Sequence, residues 1–294
     1  MRTQMGLVIA VLLAASGAQA AKDSCFECHS VMEGMSIPFQ NDIHYRNGIG
    51  CADCHGGDPT SDDQNISMSA QRGFKVRVTR AASSEFCARC HSDAALIHRH
   101  NPQQRVGQMA LYRTSVHARP SAGDPVAATC IDCHGVHNIR AVADPQSAVA
   151  PARLAATCGR CHADAASMFK SSPHAAVFTT AHRPSCITCH AAHETQEASG
   201  EMLAGGRAVC ARCHEPDTKG GKTAAAMERT LEQEMMAAFT NTRDPAADEN
   251  APPEQMRAFF AALQKRMQKA RSTVHSLNPA AVKAAAEAAA AQPQ

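Results

Sequence analysis

Aromatic residues are scarce in this 294-residue chain. It has no Trp, 2 Tyr and 9 Phe, 4% in all, although hydrophobic residues reach an ordinary 44%. Large rings dominate the energetics of most cores, so a chain long enough to bury most of its surface must fill its core with something else. An excess of one charge is also missing. Lys+Arg 29 against Asp+Glu 27 leaves a formal +2, which argues against the basic face of a nucleic-acid-binding protein and against disorder driven by self-repelling charge. Long hydrophobic runs are absent beyond the N-terminus. There, Arg2 precedes the apolar stretch Met5 to Gly17, and Ala18-Gln19-Ala20 follows it. A positive start, a short apolar run and a small-x-small site mark a cleaved signal peptide over residues 1–20. The run is too short to span a bilayer comfortably. The mature chain, Ala21 to Gln294, is therefore expected to be exported, with no transmembrane span.

Cysteine is what the chain has in quantity: 14 residues. Export would ordinarily make them a disulfide framework, but their spacing does not. Every one lies in a C-x-x-C-H pentad: Cys25-Cys28-His29, Cys51-Cys54-His55, Cys87-Cys90-His91, Cys130-Cys133-His134, Cys158-Cys161-His162, Cys186-Cys189-His190 and Cys210-Cys213-His214. C-x-x-C-H is the attachment motif of c-type haem. The two thiols take up thioether links to the porphyrin, and the His sits where it can bind the iron from the proximal side. Zinc ribbons also pair C-x-x-C motifs, but they do not require a His after every second Cys. Seven pentads with no cysteine left over point to seven covalent haem c groups.

On these pentads the chain resembles the multihaem c-type cytochromes of Gram-negative bacteria, in the cytochrome c3-like group. The phrases CADCHGGDP (Cys51 to Pro59), YRTSVH (Tyr112 to His117) and CIDCHGVH (Cys130 to His137) add to the resemblance, which covers about Cys25 to His214. It implies periplasmic electron transport through closely packed haems, of the kind used in anaerobic respiration. It also implies other redox proteins as partners, such as a membrane quinol-oxidising cytochrome upstream and a terminal reductase downstream.

Sixteen His, less the seven of the pentads, leave nine that could supply a second axial ligand: His44, His98, His100, His117, His137, His174, His182, His193 and His275. Internal repetition ranks them. Three units, 25–58, 87–137 and 158–193, each carry two pentads with one lone His ahead of the second: His44, His117 and His174. A half repeat begins at 210–214. The second and third units add a His three residues after the proximal one, His137 after His134 and His193 after His190. On a helical turn that spacing puts both rings on nearly one face, from which they could reach neighbouring irons. The first unit has Asp58 there instead. His275, on a late helix, resembles the distal ligands of multihaem cytochromes. Distal ligands are thus expected from His44, His117, His137, His174, His193 and His275, with one of His98, His100 or His182 completing the set. The 13 Met fit flexible core filler better than axial ligation.

Beyond the pentads, Thr223 to Thr240 is helical in pattern, with Met227, Leu231 and Met235 four apart. A polar, Pro-rich stretch, Asn241 to Pro253, follows. Met256, Phe260, Leu263, Met267, Ala270, Val274 and Leu277 then form an apolar seam at alternating spacings of four and three. Asn278-Pro279 should end it, leaving a frayed Ala-rich tail. The expected architecture is a multihaem cytochrome c: mostly loops and short α-helices around a stacked haem chain, with little or no β. A haem-binding region over 21–220 would be closed by a C-terminal helical hairpin over 221–294, whose seam could also form a homodimer.

Bis-His ligation throughout suits an electron carrier with no catalytic residue. Two other classes stay open: a reductase of a small nitrogen or sulfur compound with one open iron, or a subunit of a conductive filament or membrane redox complex. Charge bears on partners. Without Arg2 the formal +2 becomes +1, and each ferric haem with ionised propionates adds about −1 once the iron's own charge is counted. The loaded protein is acidic and should dock against basic patches.

Overall fold

The structure is a computed structural model that describes residues 23–32, 36–119, 127–181, 183–203, 209–241 and 251–290. The signal-peptide segment 1–20 and His182 lie outside the described residues. Two compact units divide the chain, Met1–Arg77 and Val78–Gln294. The described residues are helices, turns and loops, with no strand among them. No described helix is long and apolar enough to cross a membrane.

The short helices follow from the pentads. Each second pentad of a repeat is a five-residue helix: Cys51–His55, Cys130–His134 and Cys186–His190. The residue just before the second cysteine starts it by reaching back to an unsatisfied N-terminal N–H, as a capping side chain does. Asp53 Oδ2 accepts from the Gly50 N–H at 2.7 Å, Asp132 Oδ2 from the Thr129 N–H at 2.7 Å, and Thr188 Oγ1 from the Ser185 N–H at 2.9 Å. The helix stops directly after the proximal His, because the next residue turns left-handed: Gly56 at φ 70°, Gly135 at φ 78° and Ala191 at φ 62°. Gly56 also has no room for a side chain, since a Cβ would strike the Gly73 carbonyl.

The helical turn expected to carry His137 and His193 is therefore absent. Backbone reversal, not helical spacing, sets where His137 lies relative to His134 and where His193 lies relative to His190.

The first pentads of the repeats vary more. Asp23 caps Ser24–Ser30 by accepting from the N–H groups of Cys25 (3.1 Å) and Phe26 (3.2 Å). The Cys87 pentad closes the nine-residue helix Ser83–His91, and Cys210–Arg212 is a single 3-10 turn. The few aromatics are used locally. In the first unit, Tyr45 packs against Phe26 at 5.1 Å and Phe39 at 5.5 Å between ring centroids.

Among the described residues the C-terminal region contains three α-helices, not two and a frayed tail. Lys219–Asn241 and Pro253–Thr273 are the expected pair, and the Ala-rich stretch forms a third, Pro279–Ala290. Val282, Ala286 and Ala289 on this last helix are buried, the first against Met227 and Leu203, the other two against Met267 and Ala270. Alanine has the best intrinsic helix propensity and a side chain small enough for close helix packing. The tail thus becomes an ordered element, because the C-terminal half of the apolar seam needs a cover.

Ala191 holds a backbone region that glycine takes without steric cost, φ 62° and ψ 179°; a residue with a Cβ is strained there by about 1–3 kcal/mol. Replacing Ala191 with Gly should raise unfolding stability by about 1 kcal/mol. A denaturant titration of the holoprotein checks this, and a fall in the midpoint would reject the strain.

Candidate functional site

Within each compact unit, the thiols of successive pentads lie next to one another. Within each repeat, first cysteine meets first cysteine. Cys51 is pushed up to about 12 by burial, by Asp23 and then by Cys25. A hydrogen bond from Cys87 lowers Cys130 to about 6, and one from Cys158 lowers Cys186 to about 7. From the second repeat to the third, and from the third to the half repeat, second cysteine meets first. Burial and then nearby Cys158 raise Cys133, and burial and then Cys210 raise Cys189. In the second unit the attachment points therefore follow one another in chain order, from Cys87 to Cys213.

Four pentad histidines face a spare histidine across a constant gap. Ring centroids are 6.2 Å apart for His117 and His162, 6.1 Å for His134 and His193, 6.0 Å for His174 and His214, and 5.9 Å for His190 and His275. The members of each pair come from different segments. His117 and His174 reach forward to the first pentad of the following repeat, not to the second pentad of their own. His193 reaches back from the third repeat to the second, and His275 comes from the C-terminal helices. Burial lowers the pKa of His117, His134, His174 and His190, and the facing imidazole lowers each further. Burial likewise lowers His193. All five are thus held in the neutral form that a metal requires.

Ring orientation is set by the other nitrogen, as in most metal-ligating histidines. His275 Nδ1 meets the Ser272 carbonyl at 2.8 Å and His55 Nδ1 the Lys75 carbonyl at 2.9 Å. His44 Nδ1 meets the Asp42 carboxylate at 2.8 Å. Of the other candidates, His137 is half-buried at φ 59°. His98 and His100 are exposed on the helix Ala94–His100, with His98 Nε2 against the Gln104 carbonyl at 3.0 Å.

Two supporting patterns went unread in the sequence, although both are visible there. Each lone His follows a buried polar residue by two positions: Asp42 before His44, Ser115 before His117 and Ser172 before His174. Ser115 Oγ accepts from the His117 N–H at 3.1 Å and so caps the turn that carries the ring. The second pattern is an Arg before the second cysteine of the later first pentads. Arg160 donates to the Asp132 carbonyl, and Arg212 to the Thr188 carbonyl at 3.4 Å. Each ties one repeat to the pentad of the repeat before it.

These residues fit haem c. A metal between two imidazole nitrogens needs about 2 Å on each side. With the ring radii added, that spaces the centroids by about 6 Å, as in all four pairs. Among the described residues no group of three or more His, Cys, Asp or Glu could hold a metal ion. Paired histidines beside two thiols instead suit an iron whose other four ligands belong to a macrocycle.

The C-terminal helices are part of this arrangement. A Cβ on Gly220, at the start of Lys219–Asn241, would overlap the His214 ring. Replacing Gly220 with Ala should turn the ring away from His174 and convert one low-spin haem to high-spin. Electron paramagnetic resonance of the ferric protein measures this, and an unchanged low-spin count would reject the role of Gly220.

Comparison with known families agrees with the site. A model described as cytochrome c3 matches residues 43–162, and one described as cytochrome c554 and c-prime matches residues 10–56. No curated protein and no solved structure matches the chain. The two family matches support a multihaem c-type cytochrome, with covalent haem c and a part in electron transport.

Proposed function

We propose that this chain is a periplasmic electron-transfer protein carrying seven covalent haem c groups, all with two axial histidines, and that it passes single electrons between redox partners. The observation that carries the reading is the coincidence of two independent series. Pentad thiols adjoin in chain order from Cys87 to Cys213, and four pentad histidines each face a second imidazole at about 6 Å. Groups attached so close together can exchange electrons without a diffusing carrier. The chain supplies spacing, axial ligands and control of solvent. Bis-His ligation places the haems at lower potentials than His/Met ligation would, which suits the low-potential end of a respiratory chain.

His44 and His137 are proposed as further distal ligands, and one of His98, His100 or His182 as the last. The haem-binding region is taken as 21–220, downstream of a signal peptide over 1–20. The C-terminal helices contribute His275 to this region, and the last helix covers half of the seam through which a homodimer was expected.

Mass spectrometry with a haem assay should count seven haems per chain, and the ferric spectrum should be low-spin throughout. A large high-spin fraction would overturn uniform bis-His ligation and favour a reductase with an open iron. Replacing His275 with Ala should convert one haem to high-spin, and an unchanged spectrum would remove His275 from the ligand set.

A further inference from the structure

Asp42 is a buried carboxylate in a protein of few buried charges, with 1% of its side chain exposed. Its Oδ1 accepts twice from one residue, from the His44 backbone N–H at 2.9 Å and from His44 Nδ1 at 2.8 Å. The first bond caps the short helix Ile43–Arg46. A neutral side chain could provide that cap, since Asn and Ser serve as well as Asp at this position. The other two repeats use Ser: Ser115 precedes His117 and Ser172 precedes His174, both by two positions. The cap therefore does not explain the charge.

The second bond makes use of it. A carboxylate accepting from Nδ1–H fixes the tautomer that leaves Nε2 for the metal, and it raises the basicity of the imidazole. A more basic ligand stabilises ferric over ferrous iron. Main-chain carbonyls, which face His55 and His275, are neutral acceptors and polarise the ring less.

We infer that Asp42 is a positioning residue that lowers the potential of the haem His44 ligates, setting it below a haem whose lone His follows a serine. The first repeat then holds a haem whose potential is lowered by one charge beside its distal imidazole. This rests on His44 being a distal ligand, as proposed above.

Spectroelectrochemical titration of the holoprotein tests it with Asp42→Asn, Asp42→Ser, His44→Ala and the two double variants. Asn and Ser both keep the helix cap, so a folding defect in one leaves the other informative. Each should raise one haem potential by about 59 mV, a tenfold shift in a one-electron equilibrium, while every haem stays low-spin. Neither should shift any potential when His44 is already Ala. If His44→Ala creates one high-spin haem but the Asp42 variants leave all potentials unchanged, ligation stands and the tuning role falls. If the Asp42 variants themselves create a high-spin haem, Asp42 only holds the ring in place, and the tuning role is likewise overturned. If His44→Ala leaves every haem low-spin, His44 is not a ligand and both readings fall.

Discussion

The fold depends on holding two imidazoles opposite one another at a separation one metal ion can bridge. In the second unit this happens four times, within 5.9–6.2 Å, and never between neighbours in sequence. A pair closed within one repeat would make each repeat self-sufficient. Pairs closed between repeats tie the repeats to one another, and Arg160 and Arg212 do the same through backbone carbonyls. Repeats that cannot complete a core alone and rely on their neighbours are the usual logic of repeat proteins. Here the shared element is a pair of facing imidazoles and not an apolar face.

The C-terminal helices extend that logic where the repeats run out. The half repeat at 210–214 has no following unit, and the second pentad of the third repeat has none to supply a trailing His. Gly220 allows the first long helix to begin against His214, and the 3-10 turn after the second helix brings His275 to His190. Apolar packing of Met227, Met267 and Val282 holds these helices in place. The bundle is thus a surrogate for the missing repeat. Its last helix, Ala-rich and small-sided, fits between the other two because bulkier side chains would hold them apart.

The pentads were legible because thioether chemistry demands a fixed local spacing. Their helices were legible in part. Asp53, Asp132 and Thr188 are capping residues in the motif itself, and the glycines after His55 and His134 announce the turn that ends the helix. Ala191 conceals the same turn, since alanine gives no sign of a positive φ. The periodicity of His137 and His193 suggested a helix that this turn forbids. The Ala-rich tail looked frayed because alanines have little apolar surface to show in a pattern. Its burial depends on a groove that exists only once the other helices have packed.

By itself, the amino-acid sequence determined the cofactor chemistry, the number of attachment motifs, the repeat and the pool of candidate ligands. Each of these is a matter of residue type and local spacing. Tertiary structure decided which histidine faces which, and in what order the pentads adjoin. Those partners are far apart in the chain, brought together by backbone reversals and helix packing whose combined geometry no local pattern encodes.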